Sequence, residues 1–183
     1  MKRLVIDTET TGLSPRFNKT LTIGLLLIEV EKDFLDIIDS NHIFVKHNNY
    51  NSSKEAMAVN KIDLEKHNLH AVPPKKACNQ INRFIEKNVL NEIPLVGHNI
   101  AFDRGFLNAL FDQGKTLHKF HNEHEDTMWM WRNLQRKNVV PEGRANLQTV
   151  AGHFGIDYAR AHDALADCEI TAKVYHNLLK LKA

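Results

Sequence analysis

The sequence predicts an α/β fold: one domain in which a mixed sheet is covered by helices. Apolar runs of strand length crowd the first 46 residues, and helical periodicities interrupted by one short apolar run fill the rest. Strands first, then alternating helices and strands, is the order of a mixed sheet flanked by helices. No Pro/Gly/Ser-rich linker and no repeat divides the 183 residues, a length that suits a single core.

The elements follow in order. Residues 3–7, 22–30 and 42–46 read as strands. The polar linkers Thr-Thr-Gly-Leu-Ser-Pro and Glu-Lys-Asp follow the first two, and such short spacing suits antiparallel neighbours. Pro73-Pro74 then precede Ala77, Ile81, Phe84 and Ile85, which recur at helical intervals behind a proline-marked start. Pro94-Leu-Val-Gly97 reads as a short buried strand. A helix follows with Phe102, Phe106, Leu107, Leu110 and Phe111 on one side, ending near Gly114. Another surrounds Met128 to Gln135. Asn146 suits the N-cap of a helix carrying Leu147, Val150, Ala151 and Phe154, closed by Gly155. The last helix spans about residues 163–181, with Asp163 as its natural N-cap.

Composition excludes several classes. The net charge is +2, from 24 basic and 22 acidic side chains, too weak to imply nucleic-acid binding by charge alone. A nucleic-acid site would have to be a local basic surface beside something acidic. The longest apolar run, 21–30, is too short to span a bilayer, and the run after Met1-Lys2-Arg3 is too short for a signal peptide. A soluble, cytoplasmic protein with no membrane partner is expected. Cys78 and Cys168 lack metal-ligand spacing, so free thiols in a reduced compartment are expected, with one structural disulfide as the alternative.

Four carboxylates stand where a core would not want them. Asp7 and Glu9, two apart at the end of the first strand, project from one face. Alone, such a pair reads more simply as a solvated strand end. Asp103, however, precedes Phe106, Leu107 and Leu110 by three, four and seven residues, on the apolar stripe of its helix. Capping and function explain Asp103 equally well. Asp167 repeats the anomaly on the stripe of Ile170, Thr171, Val174 and Leu178, one turn inside a helix that Asp163 already starts. A buried carboxylate is costly unless compensated. Gathered together the four would repel, and one or two divalent cations would resolve that conflict. Hard oxygen donors select Mg2+ or Mn2+ over zinc.

Three segments match a known family. Asp7-Thr-Glu9-Thr-Thr-Gly12, His98-Asn-Ile-Ala-Phe102-Asp103 and His162-Asp-Ala-Leu-Ala-Asp167 resemble the three motifs of the DEDD 3′→5′ exonucleases in their histidine-containing subtype, in order and with suitable separations. The segment from Glu55 to Asp63 resembles the linker of ribonuclease T-like and proofreading members, with Asn60-Lys61 where many carry His-Gly, and Asp126-Thr127 resembles the end of the fifth strand. The resemblance implies a ribonuclease-H-like fold with a five-stranded mixed sheet flanked by helices. It further implies that Asp7, Glu9, Asp103 and Asp167 hold two metal ions. Asp7 would bridge both, Glu9 and Asp167 would favour the ion on the nucleophile side, and Asp103 would serve the other. His162 would be the general base, because a histidine titrates near neutrality. Such an enzyme would hydrolyse DNA or RNA from a free 3′ end, single-stranded or frayed, and release 5′-mononucleotides.

By the same resemblance Thr10 and Leu13 contact the terminal sugar and base, with Phe102 and His162 close by; core packing is the competing reading for Leu13 and Phe102. Arg132, Arg136, Lys137 and Arg144 are candidates to track phosphates, although each alone reads as a solvated residue. The regular spacing of His118, His121 and His124 invites a zinc site, but a solvated loop explains it better. His98 is expected to be a structural hydrogen-bonding residue. The rival roles are a proofreading subunit held by a polymerase or other repair partner, an exoribonuclease trimming RNA 3′ ends, a degenerate binding module, and an endonuclease. The intact ligand set argues against the module, and the His162–Asp167 motif against the endonuclease.

Overall fold

The computed structural model describes residues 1–181. Its centre is a five-stranded sheet in the order β3-β2-β1-β4-β5. Strands β1 (Lys2–Thr10), β2 (Thr20–Val30) and β3 (Leu35–Phe44) are antiparallel neighbours. Strands β4 (Leu95–Gly97) and β5 (His124–Asp126) run parallel to β1. Short connections serve the antiparallel strands, whereas each parallel strand is reached through helices, as a crossover requires. The expected mixed sheet is therefore present.

Helices cover both faces. Leu4 and Ile6 of β1 pack with α3 (Pro74–Lys87) and α4 (Ile100–Gly114). Val5 packs on the other face with α5 (Thr127–Arg136), α6 (Leu147–His153) and α7 (Ala164–Leu181). A strand buried on both faces needs no polar alternation, which is why β2 reads as a continuous apolar run. Cys78 and Cys168 are free, and they lie in the clusters on opposite sides of the sheet, so the disulfide alternative does not hold. Among the described residues no helix is long and apolar enough to cross a membrane.

Two elements depart from expectation. Strand β3 begins seven residues before the expected start at 42, although Leu35-Asp-Ile-Ile-Asp-Ser-Asn carries no clean alternation. It is an edge strand with Ile37 and Ile38 exposed, and its backbone is recruited by pairing with β2 across a bulge at Leu27/Ile28. Helices α1 (Lys54–Asn60) and α2 (Leu64–His70) are too short to display a period. Side-chain caps start them: Ser53 accepts from the Ala56 N–H, and Asp63 from the Glu65 and Lys66 N–H groups.

Strand lengths set the position of the site. β4 pairs with β1 only at Leu4 and Val5, while β2 accompanies β1 to Thr10. The end of β1, from Asp7 onward, thus lacks a neighbour on the β4 side, and the first turn of α4 stands at that open edge.

Candidate active site

Alternation along β1 points Asp7 and Glu9 toward the α7 face and Thr8 toward α4. Asp7 lies opposite Gly24 of β2 and Glu9 opposite Thr22. On the other side, the Thr8 hydroxyl donates a 2.7 Å hydrogen bond to Oδ1 of the buried Asp103. The residue ahead of α4, Asn99, is left-handed and caps nothing with its side chain. Instead Asp126, at the end of β5, accepts from the backbone N–H groups of Asn99 (3.0 Å) and Ile100 (3.1 Å). Oδ1 of Asp126 also accepts from Met128 (2.9 Å) and Trp129 (3.4 Å) at the start of α5. One carboxylate thereby caps two helices and orients the turn that carries Asp103.

Asp167 comes from the first turn of α7. Asp163 starts that helix as expected, its Oδ1 accepting from the Ala166 N–H at 3.0 Å. His162 precedes it with a left-handed backbone (φ 72°), and its N–H donates to Asp167 Oδ2 at 3.1 Å. The other carboxylate oxygen, Asp167 Oδ1, is buried with no hydrogen-bond partner. Glu9, His162 and Asp167 can each offer one ligand atom, and these atoms lie within 4.8 Å of one another.

Gly24 makes this meeting sterically feasible. A Cβ there would lie 2.3 Å from the Ala164 carbonyl oxygen and 2.9 Å from Cys168 Sγ, so only a glycine lets α7 come so close to β2. Sequence reasoning misses Gly24. Its one signal is that of a lone glycine inside an otherwise apolar strand.

The electrostatics match the crowding. Burial, followed by the charges of Asp103, Asp167 and Glu9, pushes the Asp7 carboxyl well above the usual range. Burial and the charges of Asp167 and Asp103 push Glu9 up to about 8. Burial raises Asp103 to about 7 against the opposing hydrogen bond from Thr8. Asp167 is raised by burial, and the His162 N–H works the other way. Tyr158 stands edge-on to the His162 ring, centroids 6.2 Å apart. Its phenol is pushed up to about 12 by burial and by Asp167, Asp7 and Glu9. Four raised carboxyls and one orphaned buried oxygen form a donor set that fits a hard divalent cation.

The remaining candidates are placed as follows. Thr10 is buried and its hydroxyl donates to the Gly12 carbonyl at 2.7 Å. Leu13 is 83% exposed, so its core-packing reading fails. Phe102 is partly buried, its ring 4.8 Å from that of Phe106. A cavity of about 290 Å³ opens beside Glu9 and His162, walled by His42, Phe44 and Ile62. Asn60 donates from Nδ2 to the Thr10 carbonyl, tying α1 to the end of β1, and Lys61 adopts the left-handed conformation (φ 56°) that ends α1. His98 is structural, sharing hydrogen bonds of 2.8 Å with Thr127 Oγ1 and with the Ala145 carbonyl. Among the described residues His118, His121 and His124 form no metal-binding group: His118 packs on Phe111 and His124 pairs with Arg104.

Known proteins resemble this chain in sequence and in fold. A family model described as Exonuclease matches residues 4–175. The chain is 31% identical over 173 residues to a PolC-type DNA polymerase III of Clostridium perfringens, covering 93% of this chain and 11% of that protein. It is 27% identical over 179 residues to ribonuclease T of Wigglesworthia glossinidia brevipalpis, covering 94% of this chain and 81% of the relative. The nuclease domain of 3′hExo, a DEDDh family member bound to rAMP, superposes with a TM-score of 0.80 at 18% identity, over 99% of this chain and 92% of that one. The zinc-bound E. coli exonuclease I–ssDNA complex superposes with a TM-score of 0.81 at 19% identity, over 99% of this chain and 40% of that one. These two superpositions show a shared fold.

Proposed function

Since the chain belongs to the exonuclease family, whose model spans nearly all of it, we propose that residues 1–183 act as a single domain that removes nucleotides stepwise from the 3′ end of DNA or RNA. The observation that supports this reading is the meeting of Glu9, His162 and Asp167 at the open end of β1, with the charge of Asp103 acting on both Asp7 and Glu9. Asp7, Glu9, Asp103 and Asp167 would hold two divalent ions, Mg2+ or Mn2+. When bound, such ions would lower the pKa of the attacking water and offset charge on the leaving 3′ oxygen.

This chain's residues supply the rest. His162 takes the proton of the attacking water as the water oxygen bonds to phosphorus and the bond to the 3′ oxygen breaks; the departing 3′ oxygen takes a proton from solvent, and His162 returns its own to solvent. Its backbone is anchored to Asp167 Oδ2 while its side chain remains exposed, so the ring reaches the substrate without leaving the carboxylates. Thr8 holds Asp103 in place from the opposite face of β1. The exposed Leu13, with Thr10 and Phe102, would receive the terminal nucleotide, where stacking contributes about 1–3 kcal/mol per base.

The substrate form follows from the surface. With a net charge of +2 the chain is not built to wrap a duplex, so a single strand or a frayed 3′ end is the favoured substrate. The PolC-type relatives support a proofreading role beside a polymerase, and ribonuclease T supports trimming of RNA ends. A cytoplasmic setting suits the two free thiols. Digestion of 5′-labelled single-stranded DNA, single-stranded RNA, matched duplex and circular single strands tests the reading. Linear single strands should give a descending ladder and 5′-mononucleotides, and circles should survive. Cleaved circles would replace the exonuclease with an endonuclease.

A further inference from the structure

Helix α5 carries an arrangement that the site above does not use. Trp129 is 49% exposed, and it is the only exposed large apolar side chain on this helix. The guanidiniums of Arg132 and Arg136 lie over its ring, their central carbons 5.6 and 5.9 Å from the centroid. Positions i, i+3 and i+7 share one helix face, so the three side chains form one surface feature. Among the described residues neither arginine is paired with a carboxylate, whereas Arg3 is paired with Glu125 and Arg160 with Glu169. Among the described residues Arg136 donates only to the Asn133 side chain. The two cations therefore keep most of their N–H groups for an external anion.

From this arrangement we infer that the Trp129 face of α5 binds the single strand upstream of the 3′ end being cut, a base stacking on Trp129 and phosphates pairing with Arg132 and Arg136. The inference rests on the exonuclease reading and adds a second binding surface to it. An aromatic face flanked by cations matches the repeat of a single strand, π-surface and phosphate in alternation, and does so without regard to base identity. A protein partner is disfavoured, since stable protein interfaces have an extended apolar core and Trp129 stands alone among polar side chains on its helix.

The location fits as well. Asp126 hydrogen-bonds the backbone of Trp129 and also that of Ile100, three residues before Asp103. Trp129 stands in the first turn of α5, directly after the C-terminal end of β5, and so lies at the same end of the sheet as the carboxylates. Glu142 shares the groove that Arg132 and Arg136 line.

Tryptophan fluorescence of the whole chain in EDTA tests this without turnover, because Trp129 is exposed and Trp131, the other tryptophan, is 2% exposed. Titration with a thymidylate dodecamer should quench the exposed component. The double variant Arg132→Gln/Arg136→Gln keeps both tryptophans and should bind at least ten-fold more weakly. Its salt dependence should be shallower by about 1.4 in the log–log slope, at about 0.7 for each phosphate no longer neutralised. In turnover, Trp129→Ala should lose at least ten-fold more kcat/KM on the dodecamer than on a trinucleotide. Binding without quenching, or equal affinity and slope in the double variant, would overturn the inference. So would α5 variants that bind the strand normally but lose a protein partner. Failure to hydrolyse the trinucleotide would instead count against the exonuclease reading, leaving the fluorescence result to decide the α5 surface.

Discussion

Gly24 of β2 and Ala164 of α7 meet backbone to backbone, so closely that a Cβ on Gly24 would sit 2.3 Å from the Ala164 carbonyl oxygen. Since Gly24 lies opposite Asp7, this approach sets the distance between the carboxylates of β1 and Asp167. Gly24→Ala should push the start of α7 outward. Overpacking of this kind costs about 1–3 kcal/mol, visible as a lower melting temperature, and the displaced Asp167 should reduce turnover more than the stability loss explains. A variant with wild-type kcat would show that the close approach does not position the site.

The metal-free protein should become less stable as pH rises. A carboxyl whose pKa is higher in the folded than in the unfolded chain contributes stability that is whole below the unfolded value and lost as pH climbs through the folded one. Glu9 rises from its ordinary 4.5 to about 8 and Asp103 from 3.8 to about 7. In EDTA the melting temperature should therefore fall between about pH 4 and pH 8. Glu9→Gln should flatten the upper part of that fall, and Mg2+ or Mn2+ should reverse it most strongly near pH 8. A melting temperature independent of pH across this window would show that the carboxyls are not raised.

His162 should separate catalysis from metal binding. Its backbone is left-handed, which asparagine tolerates better than alanine, and its N–H to Asp167 is retained on substitution. His162→Asn should lose about 10²–10⁴-fold in rate yet keep the metal-induced rise in melting temperature. A variant that keeps the wild-type rate would assign the base to another group.

Thr8 is predicted to act through Asp103. Thr8→Val keeps the shape but removes the donor that partly offsets the raised Asp103 pKa. Loss of such a supporting hydrogen bond typically weakens metal binding by about 10–100-fold. Titration of activity and of melting temperature with Mn2+ should both shift to higher concentration, with kcat recovering at saturation. Coincident titrations for wild type and variant would contradict this role.

Lys61 ends α1 at φ 56°, a conformation in which a side chain is a liability and glycine is free. Lys61→Gly should raise stability, measured by denaturant unfolding, because relief of left-handed strain of about 1–2 kcal/mol exceeds the extra backbone entropy that glycine loses, about 0.5–1 kcal/mol. A destabilised variant would mean that the lysine side chain makes favourable interactions of its own.

Much of this protein is local information. The proline-marked start of α3, the apolar stripe of α4, the Asn146 cap of α6 and the Asp163 cap of α7 are all written within one or two turns of chain, and the structure has each of them. The three carboxylate motifs are equally local, since i, i+2 in a strand and i, i+4 in a helix decide which face a side chain takes. Other features depend on partners distant in sequence. The stretch from Leu35, whose two isoleucines stand side by side instead of alternating, becomes a strand because β2 offers it an edge. Asp126 caps α4 from the far end of β5, 26 residues beyond Ile100. Gly24 admits Ala164 from the opposite end of the chain. Which residues carry charge onto apolar faces is therefore legible along the chain, whereas the meeting of Glu9, His162 and Asp167 within 4.8 Å of one another exists only in the packed molecule. That distance depends on strand pairing, helix capping and one missing Cβ acting together, and none of these is a property of the residues that meet.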